Sequence, residues 1–129
     1  MIASAIKPVV WIGSAKEDLS DFPEDARDAI GFALFVAQRG GKHLDARPLR
    51  GFAGAGVLEV VERHDGDTYR AVYTVRLAGR IYVLHAFQKK AKSGIATPKA
   101  EIDLVKARLA RAEREHAASL RQSGGQDNA

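Results

Sequence analysis

The stretch TYRAVYTVRLAGRIYVLHAFQKK, residues 68–90, decides how this chain folds. Residues 57–63, 68–77 and 80–89 are rich in Val, Ile, Tyr and Thr, and Asp65-Gly66-Asp67 and Ala78-Gly79 separate them with turn-forming residues. They are expected to form a three-strand meander. A two-residue loop at Ala78-Gly79 sets Leu77 opposite Arg80, Tyr73 opposite Leu84, Val72 opposite His85 and Arg70 opposite Phe87. Alternation then predicts an apolar face of Tyr69, Ala71, Tyr73, Val75 and Leu77 with Tyr82, Leu84 and Ala86, fit to pack on helices. The opposite face carries Arg70, Val72, Thr74 and Arg76 with Ile81, Val83, His85, Phe87 and Lys89, and is the candidate site.

Working outward, residues 9–12 read as a short first strand and 16–19 as a turn of helix. Pro23 begins a long helix whose stripe is Ala26, Ile30, Ala33, Leu34 and Ala37, stopped by Gly40-Gly41. Residues 48–56 form a Gly-rich connection; it lacks the lysine-serine or lysine-threonine ending of a phosphate loop and precedes a strand where such loops follow one. A second long helix follows, with Thr97 as its cap, Pro98 at its first position and Ile102, Val105 and Leu109 as its buried stripe. The expected fold is α+β: a small antiparallel sheet of about four strands, two main helices on one face and an additional C-terminal helix. Residues 1–118 are expected to form one domain and 119–129 a flexible polar tail.

Composition narrows the function classes. The chain of 129 residues has no cysteine, which removes disulfides, thiolate zinc sites and cysteine nucleophiles. His43, His64, His85 and His116 show no ligand spacing, so neither metal nor cofactor is expected. No apolar run approaches the ~20 residues of a membrane span, and the start lacks a signal-peptide pattern; a cytoplasmic protein is expected. The net charge is +4, and its distribution says more than its size. Residues 68–100 carry Arg70, Arg76, Arg80, Lys89, Lys90, Lys92 and Lys99 without a single acid. Residues 39–50 carry Arg39, Lys42, His43, Arg47 and Arg50 against Asp45 alone, whereas 16–28 hold six acids and two bases. Adjacent basic strands repel each other and attract phosphate.

That chemistry suits RNA cleavage without a metal, which needs a base for the 2'-OH, cations for the phosphorane and an acid for the departing 5'-oxygen. Arg70 is the candidate phosphate ligand, with a salt bridge to Glu59 or Glu62 as its structural alternative. Phe87 is placed to stack on a base, or simply to pack on the sheet edge. His85 brings an imidazole, which can act as acid or base. Of Lys89 and Lys90, alternation favours Lys89 for the scissile phosphate, and a bulge would exchange them. Arg76, Lys92, Lys42, His43, Arg47 and Arg50 are candidate contacts to the RNA backbone.

The order of strand, helix pair, basic loop and meander ending in His85-Ala86-Phe87-Gln88-Lys89-Lys90, then Thr97-Pro98 with Glu101-Ile102 and a terminal helix, resembles the HigB-like, phage-related branch of the RelE/ParE toxin superfamily. The resemblance spans residues 9–112. It implies a RelE-like fold and the toxin of a type II toxin-antitoxin system, an mRNA interferase acting on ribosome-bound mRNA to inhibit translation. It further implies neutralisation by a cognate antitoxin, often of helix-turn-helix type, and a possible heterotetramer of the two. Several superfamily members use a tyrosine near the C-terminus, but this chain has none after Tyr82; proton transfer then falls to His85, a lysine or Tyr73. Two other readings stand beside endonuclease: a ParE-like toxin that inhibits DNA gyrase by binding, and a catalytically weak RNA-binding remnant.

Overall fold

A computed structural model describes residues 6–52, 54, 56–90 and 96–127. The elements run β1 (Val9–Trp11), α1 (Ala15–Ser20), α2 (Glu24–Gln38), β2 (Ala46–Pro48), β3 (Val57–His64), β4 (Asp67–Thr74), β5 (Ile81–Lys89) and α3 (Lys99–Asp127). One five-stranded sheet has the order β1-β5-β4-β3-β2. The fold is α+β as expected, with two departures. β2 adds a fifth strand from within the basic loop, and β1 lies parallel to β5, so the sheet is mixed rather than antiparallel.

The meander forms with Arg70 opposite Phe87 and Val72 opposite His85, as the spacing predicts. Beyond Val72 the register slips by one, and Tyr73 faces Val83 instead of Leu84. The extra residue is a β-bulge, which leaves Leu84 and His85 on the same side of the sheet. Ile81 and Val83 therefore turn to the α1/α2 face with Tyr69, Ala71, Tyr73 and Ala86, while Tyr82 and Leu84 join Val72 and Phe87 on the other. This reverses the expected sides of Ile81, Tyr82, Val83 and Leu84. The strands also end before the expected hairpin tip, whose turn is closed by the Arg80 N–H donating to the Leu77 carbonyl at 3.2 Å.

Both faces are covered. α1 and α2 bury Ala15, Leu19, Ala26, Ile30, Ala33, Leu34 and Ala37 against the first. α2 stops where Gly40, at φ +88°, takes a left-handed conformation that suits glycine. α3 lies on the opposite face, where Val105 and Ala112 are fully buried and Ile102 and Leu109 flank them. Its helix runs to Asp127 and takes in residues 119–127 of the segment expected as a flexible polar tail. Leu, Arg and Gln at 120–122 are good helix formers that continue a helix already nucleated by its packed first half. No helix among the described residues is long and apolar enough to cross a membrane.

Candidate functional site

Since α3 takes the face that carries Arg70, His85, Phe87 and Lys89, it covers the surface expected to be exposed. The stripe Glu101, Val105, Arg108, Ala112 and His116 recurs at spacings of four and three, which places all five on the side turned to the sheet. The anchor is Tyr82, whose hydroxyl hydrogen-bonds His116 Nδ1 at 3.1 Å within the buried interior. The start of α3 then crosses the ends of β3, β4 and β5.

Arg70 is sealed beneath that crossing, with its side chain 2% exposed. Its Nη1 lies 3.5 Å from Glu59 Oε2 and donates to Thr97 Oγ1 at 3.3 Å, while Nε donates to Thr68 Oγ1 at 3.2 Å. Thr97 does not cap α3: its hydroxyl donates to Glu59 at 2.7 Å, and the helix begins with the Pro98 carbonyl accepting from the Glu101 and Ile102 amides. The expected single hollow with an open guanidinium is therefore not formed. Of the two alternatives for Arg70, the Glu59 ion pair is the one present, because the pairing of β3 with β4 sets the two side chains within reach on the side that α3 covers.

His85 sits on the β5 side of the crossing. Its Nε2 is 2.6 Å from Glu101 Oε1, and its Nδ1 is 3.4 Å from Arg108 Nη1. A guanidinium only donates, so Nδ1 accepts and the Nε2 proton points to Glu101. Arg108 also donates to the Leu84 carbonyl at 3.0 Å and to Ser14 Oγ at 3.2 Å, tying α3 to β5 and to the start of α1. The Phe87 ring stacks on the imidazole with centroids 5.0 Å apart and planes 21° apart. His85, Phe87 and Glu101 line a cleft of about 580 Å³ together with Tyr69, Gln88 and the acids Asp18 and Asp21, and Arg108 stands behind the imidazole.

The remaining expected residues are distributed around this centre. Lys89 keeps the α3 side, as alternation predicts, and donates to the Ala96 carbonyl at 2.6 Å. Lys90 is mostly exposed, with Asp67 3.6 Å away. Arg47 and Arg50 are exposed and line a second hollow of about 360 Å³ with Glu59, Thr97 and Ile102, on the other side of the α3 start. Arg76 lies past the end of β4 against Gly56, where a Cβ would stand 2.9 Å from the Arg76 Cβ; at about 3.3 Å per residue it is roughly 20 Å from Arg70 along the strand. Lys42 is exposed and His43 half-buried, beside α2 instead of α3. Lys92 lies outside the described residues.

Glu101 and Arg108 had no assigned role in the sequence reading. The signal that could have found them is the stripe itself, which carries charge at two of its inward positions. A second acidic contact was equally hidden: Glu62, on β3, is pushed up to about 7 by burial and by the neighbouring Asp45 carboxyl.

A family model described as phage-derived protein Gp49-like matches residues 17–110, well over half of the chain. The chain belongs to the Gp49-like family. The match reaches from α1 through the sheet to Arg108, so it spans the whole His85 centre of this Gp49-like protein. Among solved structures, the free-state arginine-to-alanine double mutant of the Escherichia coli toxin RelE aligns with a TM-score of 0.51 and 15% identity, over 83% of this chain and 97% of that one. At that identity the likeness is one of fold, and it agrees with the RelE/ParE resemblance carried by the motifs. The toxin-antitoxin complex RelBE2 from Mycobacterium tuberculosis aligns with a TM-score of 0.45 and 20% identity, over 70% of this chain and 98% of that one. No curated protein matches the chain.

Proposed function

We propose that this Gp49-like protein is the toxin of a type II toxin-antitoxin pair and cleaves mRNA by acid-base chemistry at His85, acting on ribosome-bound message to block translation. The family, the RelE fold and the toxin named in that structural neighbour support the toxin reading. The observation that carries the cleavage reading is the imidazole held by Glu101 and Arg108 at the cleft, with the Phe87 ring beside it. In this scheme Nδ1 takes the 2'-OH proton while Glu101 holds the Nε2 proton and stabilises the resulting imidazolium. Arg108 turns from Nδ1 to the phosphate, where a guanidinium suits the growing charge. The 2'-oxygen attacks phosphorus, and the 5'-oxygen leaves with a proton from Lys89 or Lys90. Arg47, Arg50 and Lys42 hold the backbone of the RNA or ribosome, and Arg70 acts as a positioning residue that keeps β3, β4 and the α3 start in place. A cognate antitoxin, of helix-turn-helix type, neutralises the toxin, in an assembly that can reach a heterotetramer.

Induced expression followed by growth curves and primer extension on mRNA tests this reading. Wild-type protein arrests growth and leaves discrete 5' ends, and His85→Gln, folded by circular dichroism, does neither. A His85→Gln protein as toxic as wild type overturns it. One observation favours a second reading: the guanidinium expected to meet phosphate is locked to Glu59 and Thr97. A ParE-like toxin acting on DNA gyrase by binding needs no free catalytic cation, and it predicts intact mRNA, gyrase-dependent DNA breaks and unchanged toxicity of His85→Gln.

A further inference from the structure

α2 buries one side against the sheet, through Ala26, Ile30, Ala33, Leu34 and Ala37. By helical periodicity the side directly opposite carries Asp25, Asp28, Phe32, Phe35 and Arg39, spaced alternately three and four apart. This second stripe faces solvent. Phe32 is 57% and Phe35 40% exposed, and Leu44, next to the His43 whose ring meets Phe32 edge-on, is 98% exposed. The stripe is continuous: the Phe32 and Phe35 ring centroids are 6.5 Å apart, and the Arg39 guanidinium lies 5.8 Å from the Phe35 centroid. Exposed rings grouped in this way mark a surface that another molecule covers.

The distribution of charge identifies that molecule. Acids stand at the N-terminal end of the stripe and Arg39 at its C-terminal end, with Lys42 just beyond. A membrane or nucleic acid, being negative throughout, would be repelled at the acidic end. The order acid, ring, ring, base is instead complementary to its own reverse. When a second α2 is laid antiparallel across the first, on a two-fold axis level with Ala33 and Leu34, Asp28 meets Arg39 of the second copy and Phe32 meets its Phe35. The same operation brings Asp25 level with the second copy's Lys42. Among the described residues Asp25, Asp28 and Arg39 have no ion pair within the chain, so their charges are available to that contact. Gly31 adds an independent sign. It lies one turn before Phe35, it is exposed, and a Cβ there would meet nothing within 4 Å. The isolated chain therefore has no packing reason for glycine, which weakens a helix interior relative to alanine. Its missing side chain opens a gap among Asp28, Phe32 and Phe35 that admits a ring from a facing helix.

We propose that α2 is the seam of a homodimer, in which two copies of this chain pack α2 antiparallel on α2, with the Phe32 and Phe35 rings of both enclosed between reciprocal Asp28–Arg39 ion pairs. Burial of the rings supplies the affinity, and the paired charges fix the direction. Antiparallel packing also sets the N-terminal end of each helix dipole beside the C-terminal end of the other. None of the five stripe residues lines the His85 cleft, and the inference does not depend on the RNA reading.

Sedimentation equilibrium of the purified full chain, from micromolar to millimolar concentration, tests it. Wild type is expected as a reversible mixture of monomer and dimer. Phe32→Ser and Phe35→Ser, both at solvent-facing positions and each checked for fold by circular dichroism, should weaken the dimer by about tenfold or more. Arg39→Asp sets like charges against Asp28 of the second copy and should weaken it by about tenfold as well. The Asp28→Arg/Arg39→Asp double variant restores opposite charges at both ends and should recover the association that Arg39→Asp loses. A wild type that stays monomeric at millimolar concentration overturns the proposal, including one whose stripe turns out to hold a different protein. A dimer indifferent to both Phe32→Ser and Phe35→Ser overturns it too, as does a double charge exchange that associates no better than Arg39→Asp alone.

Discussion

Arg70 shows how one side chain changes meaning once its neighbours are in place. The sequence supplied its strand, its partner Phe87 and the choice between phosphate and Glu59, because those follow from local spacing. It could not supply the burial, which is imposed by residues 27 positions later in the form of Thr97. A guanidinium and carboxylate at 2% and 8% side-chain exposure are costly to separate. Arg70→Met, by leaving Glu59 buried without a counter-charge, is expected to cost about 3–5 kcal/mol, while the Arg70→Met/Glu59→Leu pair should recover most of that loss; urea unfolding measures both. Tyr73 gives the opposite case. Its hydroxyl is buried without a partner, and burial pushes its pKa up to about 12. Tyr73→Phe removes an unsatisfied polar atom and should leave stability unchanged or raise it by about 1 kcal/mol in the same assay.

Among the elements, those with a period were legible and those set by distant partners were not. β3 and β4 announce themselves by composition and turns, and α2 by its stripe. Three-residue β2, with Pro48 at the sheet edge, has no alternation to read. The stripe of α3 reveals that the helix has a buried side but not which side of the sheet receives it; that choice decides whether the His85 face is open. The docking of α3 rests on Val105, Ala112 and the Tyr82–His116 hydrogen bond. Tyr82→Phe should weaken it by about 1 kcal/mol, visible as faster hydrogen exchange in α3 than in α2. Val105→Ala should cost on the order of 2 kcal/mol through the cavity it leaves.

For the whole molecule, charge separation was legible in the sequence, whereas the coupling of stability to pH was not, because it arises only when Asp45 and Glu62 meet. Glu62 moves from 4.5 to about 7 in the folded chain, so between those values the folded state holds a proton that the unfolded state has released. Stability should therefore fall as pH rises through that window, opposite to the usual salt-bridged carboxylate. Solvent around the half-buried pair keeps the slope modest, and Glu62→Gln should flatten it in urea titrations between pH 5 and about 7. The slip at Leu84 also has a consequence for which length variants of this chain can exist. β5 contains one residue more than its neighbour requires, so removing Leu84 would leave every other side chain of the strand pointing where it does now, at the loss of one buried leucine. β4 has no such slack: removing Ala71 would invert half of the strand against both flanking partners. Tolerance to single-residue deletions should thus be concentrated at one point of the central sheet, and a deletion scan read by soluble yield would locate it.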